Sequence, residues 1–334
     1  MLLNEKKLIN TLKKFINEAL KTSDFENFSM SRKDQGSHPM YKGKRNGKEY
    51  FIKFPGMGEY KSENNGSILN ALNEYLFFKL YELYANAGTE NMQYFRQPSD
   101  VQLVMMPNNR GGVNLGIGSV RATVTDEFSR GGYEMLGYNI KKYVAEIWDD
   151  AGLHVGSRYY VDSLFANWDQ PKNVIYDVEK NAETGKYKFK GVTGIDPGGS
   201  GFYRARGERK APKDFANAED VSELDKFGQQ YSPDIRDGAG GTYLYPLRND
   251  QLSQRIFFSV SKEDIVNKID EVCADVTQDL IDNRLEDFEP NLLQNFQNDC
   301  EQLKQILPRR YDIIEQRIRT GRIPKTIRTT KNKF

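Results

Sequence analysis

In the first half of the chain, short runs of apolar, aromatic and β-branched residues alternate with polar segments rich in glycine, proline and asparagine. Runs of this kind are typical of β-strands. The pattern predicts strands at Glu49–Phe54, at Val101–Met106, at Val120–Val124, and in VIYDV and KYKFKGVTGID, which are joined by EKNAETGK. The stretch NNRGGVNLGIGS is predicted to be a loop or hairpin, because glycine and asparagine favour turns.

Apolar residues at three- and four-residue steps predict helices in other parts of the chain. The predicted helices are Leu2–Leu20, Ser67–Tyr84, Ile140–Trp148, and a helical region from Lys262 onward that continues through Leu293–Ile306 and Tyr311–Ile318. The first is amphipathic, and we expect a packed surface helix rather than a membrane anchor. A strand-rich first half and a helical second half predict an α+β protein with a cleft between two lobes.

The composition excludes several classes of protein. The chain has 334 residues, of which 38% are hydrophobic, enough to bury a sizeable core. No apolar run approaches the roughly 18 residues of a membrane span, and lysines interrupt the first 20 residues as they would not in a secretory signal. A soluble protein is therefore expected.

His38 and His154 lie far apart and rule against a zinc site. Cys273 and Cys300 are too few for a disulfide framework and favour a reducing compartment.

Positive charge is concentrated at the C-terminus. The segment Pro308–Phe334 holds nine lysines and arginines against two acidic residues, whereas the rest of the chain is net negative. A basic tail on a mildly acidic body indicates contact with phospholipid, nucleic acid or a small polyphosphate, or else a solvated tail. Nucleic acid is the weakest of these partners, because the tail lacks interleaved aromatic residues for stacking on bases.

Five polar residues occur in an order that suits phosphoryl transfer from ATP. Lys53 lies in a predicted strand, Glu74 in the following helix, Asp169 and Asn173 in a turn before a strand, and Asp196 at the end of a later strand. The reaction needs a lysine on the phosphates, a carboxylate to hold that lysine, an aspartate for the acceptor hydroxyl, and oxygen ligands for Mg²⁺. Taken singly, each has an ordinary structural explanation, such as a surface lysine or an Asx turn.

A phosphate-binding loop is expected before Lys53. Gly36 and Ser37 are the candidates, because their backbone N–H groups are able to face phosphate oxygens. The glycine-containing segment Gly116–Arg121 comes after the lysine and is predicted to be a hairpin turn instead.

Four segments together resemble atypical kinase-like domains of bacterial toxins and secreted effectors, which are related in layout to HipA-like kinases and phosphatidylinositol 4-kinases. They are QGSHPMYKG with YFIKF, NEYLFFKLYELY, VDSLFANWDQPKN, and GIDPGGSGFYRARGERK. The resemblance covers about residues 35 to 210 and implies a two-lobed protein-kinase-like fold. It divides the chain into an N-terminal helix (1–24), an N-lobe (25–130), a C-lobe (131–307) and a basic tail (308–334).

The same resemblance implies a role for each residue of the series. Lys53 binds the phosphates, Glu74 pairs with Lys53, and Asp169 is the catalytic aspartate. Asn173 and Asp196 then hold magnesium, although the Asp169–Asn173 gap is one residue shorter than in ordinary protein kinases, so Asn167 is an alternative metal ligand to Asn173.

Basic residues follow Asp196 at the position of an activation segment. They are Arg204, Arg206, Arg209 and Lys210. A cluster of this kind is able to bind phosphate groups, and some secreted Legionella-type effector kinases, which the chain resembles, use a host inositol polyphosphate as activator. The alternative is a set of salt bridges with the acidic stretch Asp214–Asp225.

The resemblance implies an Mg-ATP-dependent protein kinase, with Mn²⁺ as an alternative metal, that a bacterium secretes into the host cytoplasm. A host protein is the first-choice substrate, and the basic tail offers a peripheral membrane contact. Three alternatives stay open: a phosphoinositide or inositol phosphate kinase, a pseudokinase that binds nucleotide without turnover, and a kinase-fold enzyme that transfers AMP.

Overall fold

The computed structural model describes residues 19–31, 39–55, 67–107, 113–120, 154, 156–168, 174–204, 207–225, 250–283 and 291–321. The predicted helices Leu2–Leu20 and Ile140–Trp148 lie almost wholly outside these ranges. Within them, no helix combines the length and the apolar character that crossing a membrane requires.

The N-terminal part is a sheet in the order β1-β5-β6-β4-β3-β2, in which β1 runs parallel to β5 and the other neighbours are antiparallel. Its strands are β1 (Leu20–Lys21), β2 (Glu26–Met30), β3 (Met40–Arg45), β4 (Lys48–Lys53), β5 (Gln102–Pro107) and β6 (Val113–Val120). Asn46 and Gly47 join β3 to β4, both with positive φ angles of 51° and 74°. Asn-Gly suits such a two-residue hairpin because both residues tolerate the left-handed region.

Strand β6 corrects two expectations from the sequence. The segment that begins at Gly116 is not a hairpin turn but the middle of a strand between β4 and β5, and the part of the predicted loop from Val113 to Ser119 belongs to the same strand. Close packing explains the glycine there. A Cβ atom at Gly116 would lie 2.7 Å from both the carbonyl oxygen of Lys53 and the ring of Phe54.

Helix α1 (Ser67–Ala85) lies at the centre of the described structure and is confirmed where it was predicted. It packs against β6 on one side and against two C-terminal helices on others. A helix with apolar residues on most of its sides is buried on most of them, and the polar residues Asn70, Asn73 and Glu74 of α1 are buried with it. The short helix α2 (Thr89–Tyr94) follows.

A second pair of strands confirms the predicted hairpin after residue 173. Strands β7 (Val174–Lys180) and β8 (Tyr187–Gly194) pair antiparallel. The short helix α3 (Tyr159–Leu164) precedes them and is buried throughout.

Three helices, α4 (Asp250–Phe258), α5 (Lys262–Asp282) and α6 (Leu292–Thr320), form the C-terminal part. Helix α6 runs through Pro308, at the predicted start of the basic tail. The buried stripe Leu303, Leu307 and Ile314 continues across the proline, and this packing outweighs the roughly 3 kcal/mol that a proline costs inside a helix.

The predicted α+β class is confirmed by this arrangement of an N-terminal sheet and a helical C-terminal part, which is consistent with a two-lobed kinase-like fold. The boundaries of the four predicted segments stay predictions.

The two cysteines depart from expectation. Cys273 on α5 and Cys300 on α6 form a disulfide, with Cα atoms 6.5 Å apart. A low cysteine count favours a reducing compartment and unpaired thiols, but two cysteines suffice for one bridge when two packed helices bring them together. The bond joins helices that already share the buried core.

Loss of this disulfide is expected to lower the free energy of unfolding by about 3.5 kcal/mol, the loop-closure entropy for cysteines 27 positions apart. Urea unfolding of the Cys273→Ser/Cys300→Ser double variant, beside the wild type with and without reductant, measures the loss. If reductant leaves the unfolding midpoint of the wild type unchanged, the bond contributes nothing and the prediction is wrong.

A buried histidine gives a pH-dependent prediction. His154 lies between the rings of Tyr94 and Phe189, each with its centroid 4.8 Å away. Burial, together with the charge of Arg96, lowers the pKa of His154 from 6.5 to about 4. Stability that depends on neutral His154 is complete above pH 6.5 and is lost as the pH falls through 4. The loss amounts to about 3 kcal/mol.

Comparing the wild type with His154→Phe, by urea unfolding between pH 7 and pH 4, isolates this contribution. The wild type is expected to lose more stability than the variant as the pH falls. Parallel curves for the two proteins would contradict the assignment.

Candidate functional site

Strand geometry directs Lys53 toward helix α1. Successive side chains of a strand point to opposite faces of a sheet. On β4, Tyr50 and Ile52 pack into the small apolar cluster on one face, so Lys53 projects from the other face. There, Ile117 of the neighbouring strand β6 and Leu103 of β5 belong to the core cluster that includes α1.

The Lys53 ammonium lies between two carboxylates from different elements. Its Nζ donates to Glu74 Oε1 and Oε2 of α1 at 3.3 and 3.1 Å, and to Asp196 Oδ1, just after β8, at 2.5 Å. The Lys53 side chain is 12% exposed and that of Glu74 is 2% exposed, whereas Asp196 is 36% exposed. We call Lys53, Glu74 and Asp196 the ion cluster. It is buried on the α1 side and open at Asp196.

The charges of the ion cluster perturb one another. Burial alone would lower the pKa of Lys53, but the adjacent charges of Asp196 and Glu74 outweigh it and raise that pKa. Burial raises the pKa of Glu74, Lys53 opposes the rise, and the charge of Asp196 adds to it. One cation thus faces two carboxylates whose charges repel each other, and a second cation beside Asp196 would relieve that repulsion.

The backbone around Asp196 is unusual. Asp196 has φ 52° and ψ 68°, in the left-handed region, and leads directly into a 3₁₀ turn, Pro197–Gly199. A Cβ atom at Gly198 would lie 2.8 Å from Glu74 Oε2 and 3.2 Å from Asp196 Oδ1. Glycine is therefore needed where the turn passes the two carboxylates, and left-handed non-glycine residues occur preferentially at functional sites.

The segment that leads to Asp169 is buried up to the last described residue. Asn167 is fully buried, and its side-chain nitrogen donates to the Tyr81 hydroxyl at 3.0 Å. Tyr81 in turn donates to Asp162 at 2.6 Å. The Asn167 side chain therefore belongs to a buried hydrogen-bond network with Tyr81 and Asp162. Trp168 is partly buried, and its indole nitrogen donates to Glu223 Oε1 at 2.9 Å.

Several predicted site residues lie outside the described residues. They are Gly36, Ser37, Asp169, Asn173 and Arg206. The described structure thus brings together Lys53, Glu74 and Asp196, and it places Trp168, one residue before Asp169, within 3.4 Å of the Gly199 carbonyl through its backbone N–H.

The three described members of the basic cluster face different surroundings. Exposed Arg204 lies 3.5 Å from Glu208. Arg209 makes two hydrogen bonds to Asp299 of α6, at 2.7 and 3.2 Å, rather than to the acidic stretch Asp214–Asp225. Lys210 is 5% exposed and donates to backbone carbonyls. Arg209 and Lys210 are therefore engaged within the fold.

Sequence reasoning missed a buried ion pair beside the loop. Arg310 of α6 donates to Glu223 at 2.7 Å and also to the carbonyls of Ser163 and Leu164, at 2.7 and 2.8 Å. Burial alone would raise the pKa of Glu223, but Arg310 outweighs it and lowers that pKa. The one available signal was an arginine in helical register with the apolar stripe of α6.

No protein-family model and no curated protein matches the chain. Among solved structures, the chain is similar to the Helicobacter pylori proinflammatory kinase CtkA. The TM-score is 0.44 and the sequence identity 11%, over 90% of this chain and 99% of that one. A likeness of this size does not identify an activity, and the relation to HipA-like or Legionella-type kinases stays a prediction.

Proposed function

We propose that the chain is an Mg-ATP-dependent phosphotransferase whose nucleotide site is built on the ion cluster. The observation that carries the proposal is one strand lysine held between a helix glutamate and a second, more exposed aspartate. Kinases use a lysine on a strand, the helix glutamate that pairs with it, and an aspartate for the metal. A buried ion cluster is a weak source of stability, because desolvation offsets the attraction, and function better explains it.

Asp196 fits a magnesium ligand. It offers hard carboxylate oxygens, and it is the most exposed member of the ion cluster. Within the described ranges, no group of three or more histidine, cysteine, aspartate or glutamate side chains is placed to hold a metal. Magnesium suits a sparser set, because it keeps several waters and also binds substrate phosphates. When bound, it supplies charge neutralisation on the transferred group.

Each residue of the series then has a role in the proposed reaction. Lys53 orients the ATP phosphates, and Glu74 fixes Lys53. Asp196 and Asn173 would hold the metal, which would supply charge neutralisation at the phosphates. Asn173 is preferred to Asn167, since the Asn167 amide is buried against Tyr81.

Asp169 positions the acceptor hydroxyl and takes its proton. The acceptor oxygen bonds to the γ-phosphorus as the bond to the departing ADP oxygen breaks. Backbone N–H groups of Gly36 and Ser37 contact the phosphates.

The finer proposal follows the resemblance. The acceptor is a serine, threonine or tyrosine of a host protein, and the chain is a bacterial effector. An inositol polyphosphate activator would use Arg204 and Arg206, because Arg209 and Lys210 are engaged within the fold. A phosphoinositide acceptor, AMP transfer and nucleotide binding without turnover are the competing outcomes of the test.

Purified protein incubated with Mg²⁺ and γ-labelled ATP tests the proposal. Host-cell lysate, phosphoinositide vesicles and inositol hexakisphosphate are each added or omitted, and Asp169→Ala and Asp196→Ala are assayed in parallel. Label on protein that is lost in both variants is the expected result. Label on lipid selects the lipid kinase, and protein labelling from α-labelled ATP alone selects AMP transfer. If no label appears although ATP raises the melting temperature, the chain is a pseudokinase and phosphoryl transfer is ruled out.

A further inference from the structure

Lys210 connects the two loops that carry the candidate catalytic and metal aspartates. Its Nζ donates to the Ala166 carbonyl and to the Gly199 carbonyl, each at 2.6 Å. Ala166 comes three residues before Asp169, and Gly199 comes three residues after Asp196. One buried ammonium thus spans the segment leading to Asp169 and the turn following Asp196.

Both connected loops contain backbone conformations that need support. Ala166 has φ 50° and Asp196 has φ 52°, both in the left-handed region. Such residues cost about 1–3 kcal/mol each and persist only where surrounding contacts impose them. The Lys210 ammonium binds the carbonyl of Ala166 itself. It also lies 4.8 Å from the centre of the Trp168 ring, between Ala166 and Asp169.

Contacts of the neighbouring residue with helix α6 and with Phe202 fix the inward position of Lys210. Its neighbour Arg209 is held by two hydrogen bonds to Asp299 of α6 and lies 4.5 Å from the centre of the Phe202 ring. The Lys210 backbone N–H donates to the Phe202 carbonyl at 2.7 Å. These contacts hold the segment on the protein and direct Lys210 beneath the two loops.

We propose that Lys210 is a positioning residue that sets the distance between the loops of Asp169 and Asp196, rather than a ligand for phosphate. This inference rests on the proposed function, in which those two aspartates must act on the same phosphoryl group. Burying an ammonium is costly in free energy unless it is hydrogen-bonded. The two hydrogen bonds from Lys210 to the carbonyls of Ala166 and Gly199 offset that cost where the two loops come together. Loss of Lys210 would therefore misplace Asp169 relative to the metal ligand.

The test is Lys210→Met, which keeps the length of the side chain without its donors, with exposed Lys213→Met as the matched control. We expect kcat for phosphoryl transfer to fall about 10²-fold in Lys210→Met, the scale for a misplacement of about 1 Å. The KM for ATP is expected to stay within about threefold of the wild type. Lys213→Met is expected to match the wild type.

An unchanged kcat in folded Lys210→Met overturns the proposal. So does a raised KM for ATP with kcat intact, because that pattern marks a phosphate ligand. Where Lys210→Met does not fold, Lys210→Gln replaces it. The glutamine side chain is one atom shorter and uncharged, so kcat is expected to fall here too, and an unchanged kcat again overturns the proposal.

Amide hydrogen exchange separates this inference from the proposed function, since it needs no activity. In Lys210→Met, exchange is expected to accelerate about tenfold or more in residues 163–168 and 197–201, with α5 unchanged. If the wild type transfers no phosphate but this acceleration is found, the positioning of the loops stands and the kinase proposal fails. Unchanged exchange in both segments overturns the positioning itself.

Discussion

Replacing Asp196 by asparagine is expected to reduce phosphoryl transfer on the order of 10²–10³-fold, the usual cost of removing one preorganised electrostatic group from a transition state. Asparagine keeps the size of the side chain but offers a neutral oxygen in place of a charged one. In the structure, Asp196 is the more exposed carboxylate of the ion cluster, at 36% against 2% for Glu74.

The same substitution is not expected to destabilise the fold. Asp196 adds to the rise in the pKa of Glu74 that burial causes, so its removal relieves a repulsion and leaves Lys53 paired with Glu74. A variant that is inactive but folded, with an unfolding midpoint at or above that of the wild type, is the expected outcome. Asp312→Asn, at an exposed position of α6, is the control. Full activity of Asp196→Asn would exclude Asp196 as a metal ligand.

Replacing Lys53 by methionine is expected to lower activity by a similar factor and, unlike Asp196→Asn, to destabilise the protein. Glu74 and Asp196 would then face each other without the cation that lies between them. Removing one partner of a buried ion pair costs about 3–5 kcal/mol, because it leaves an uncompensated buried charge.

This loss of stability is expected to depend on pH. Without Lys53, the pKa of Glu74 rises further above its ordinary value, and the folded protein binds a proton that the unfolded chain releases. The stability deficit is then largest above the folded pKa of Glu74 and shrinks as the pH falls below it.

Urea unfolding at pH 5.5 and pH 8.5 measures the difference. Lys48→Met, on the same strand but with an exposed ion pair to Asp100, is the matched control. A deficit that is equal at both pH values would show that Glu74 does not carry the uncompensated charge.

The ion cluster was accessible from sequence because its members belong to elements that patterns reveal. An alternating strand ends at Lys53, a strongly apolar helix carries Glu74, and a hairpin ends before Asp196. Side chains alternate between the two faces of β4, which turns Lys53 toward α1. Because α1 is buried against that face of the sheet, Lys53 and Glu74 come together. The approach of Asp196 came from the resemblance, since nothing in local periodicity places the turn after β8 beside α1.

Features that depend on packing between distant segments were not predictable. The sequence predicts Gly116 and Gly118 to be turn residues. In the structure they lie within β6, where the close approach of β4 and β5 leaves little room for a side chain. Pro308 reads as a helix end, although the buried stripe of α6 continues past it. Lys210 reads as part of a solvated basic cluster, because no sequence pattern tells a buried ammonium that binds carbonyls from an exposed one.

Binding of nucleotide tests the central claim most directly, since it needs neither an acceptor nor an activator. Calorimetric titration of ATP in the presence and absence of Mg²⁺ is made on the wild type, Lys53→Met, Asp196→Asn and the control Lys48→Met. We expect Mg²⁺-dependent binding by the wild type and Lys48→Met, weakened about tenfold or more in Lys53→Met and Asp196→Asn. Absence of ATP binding by the wild type, or equal binding by all four proteins, would contradict the central claim.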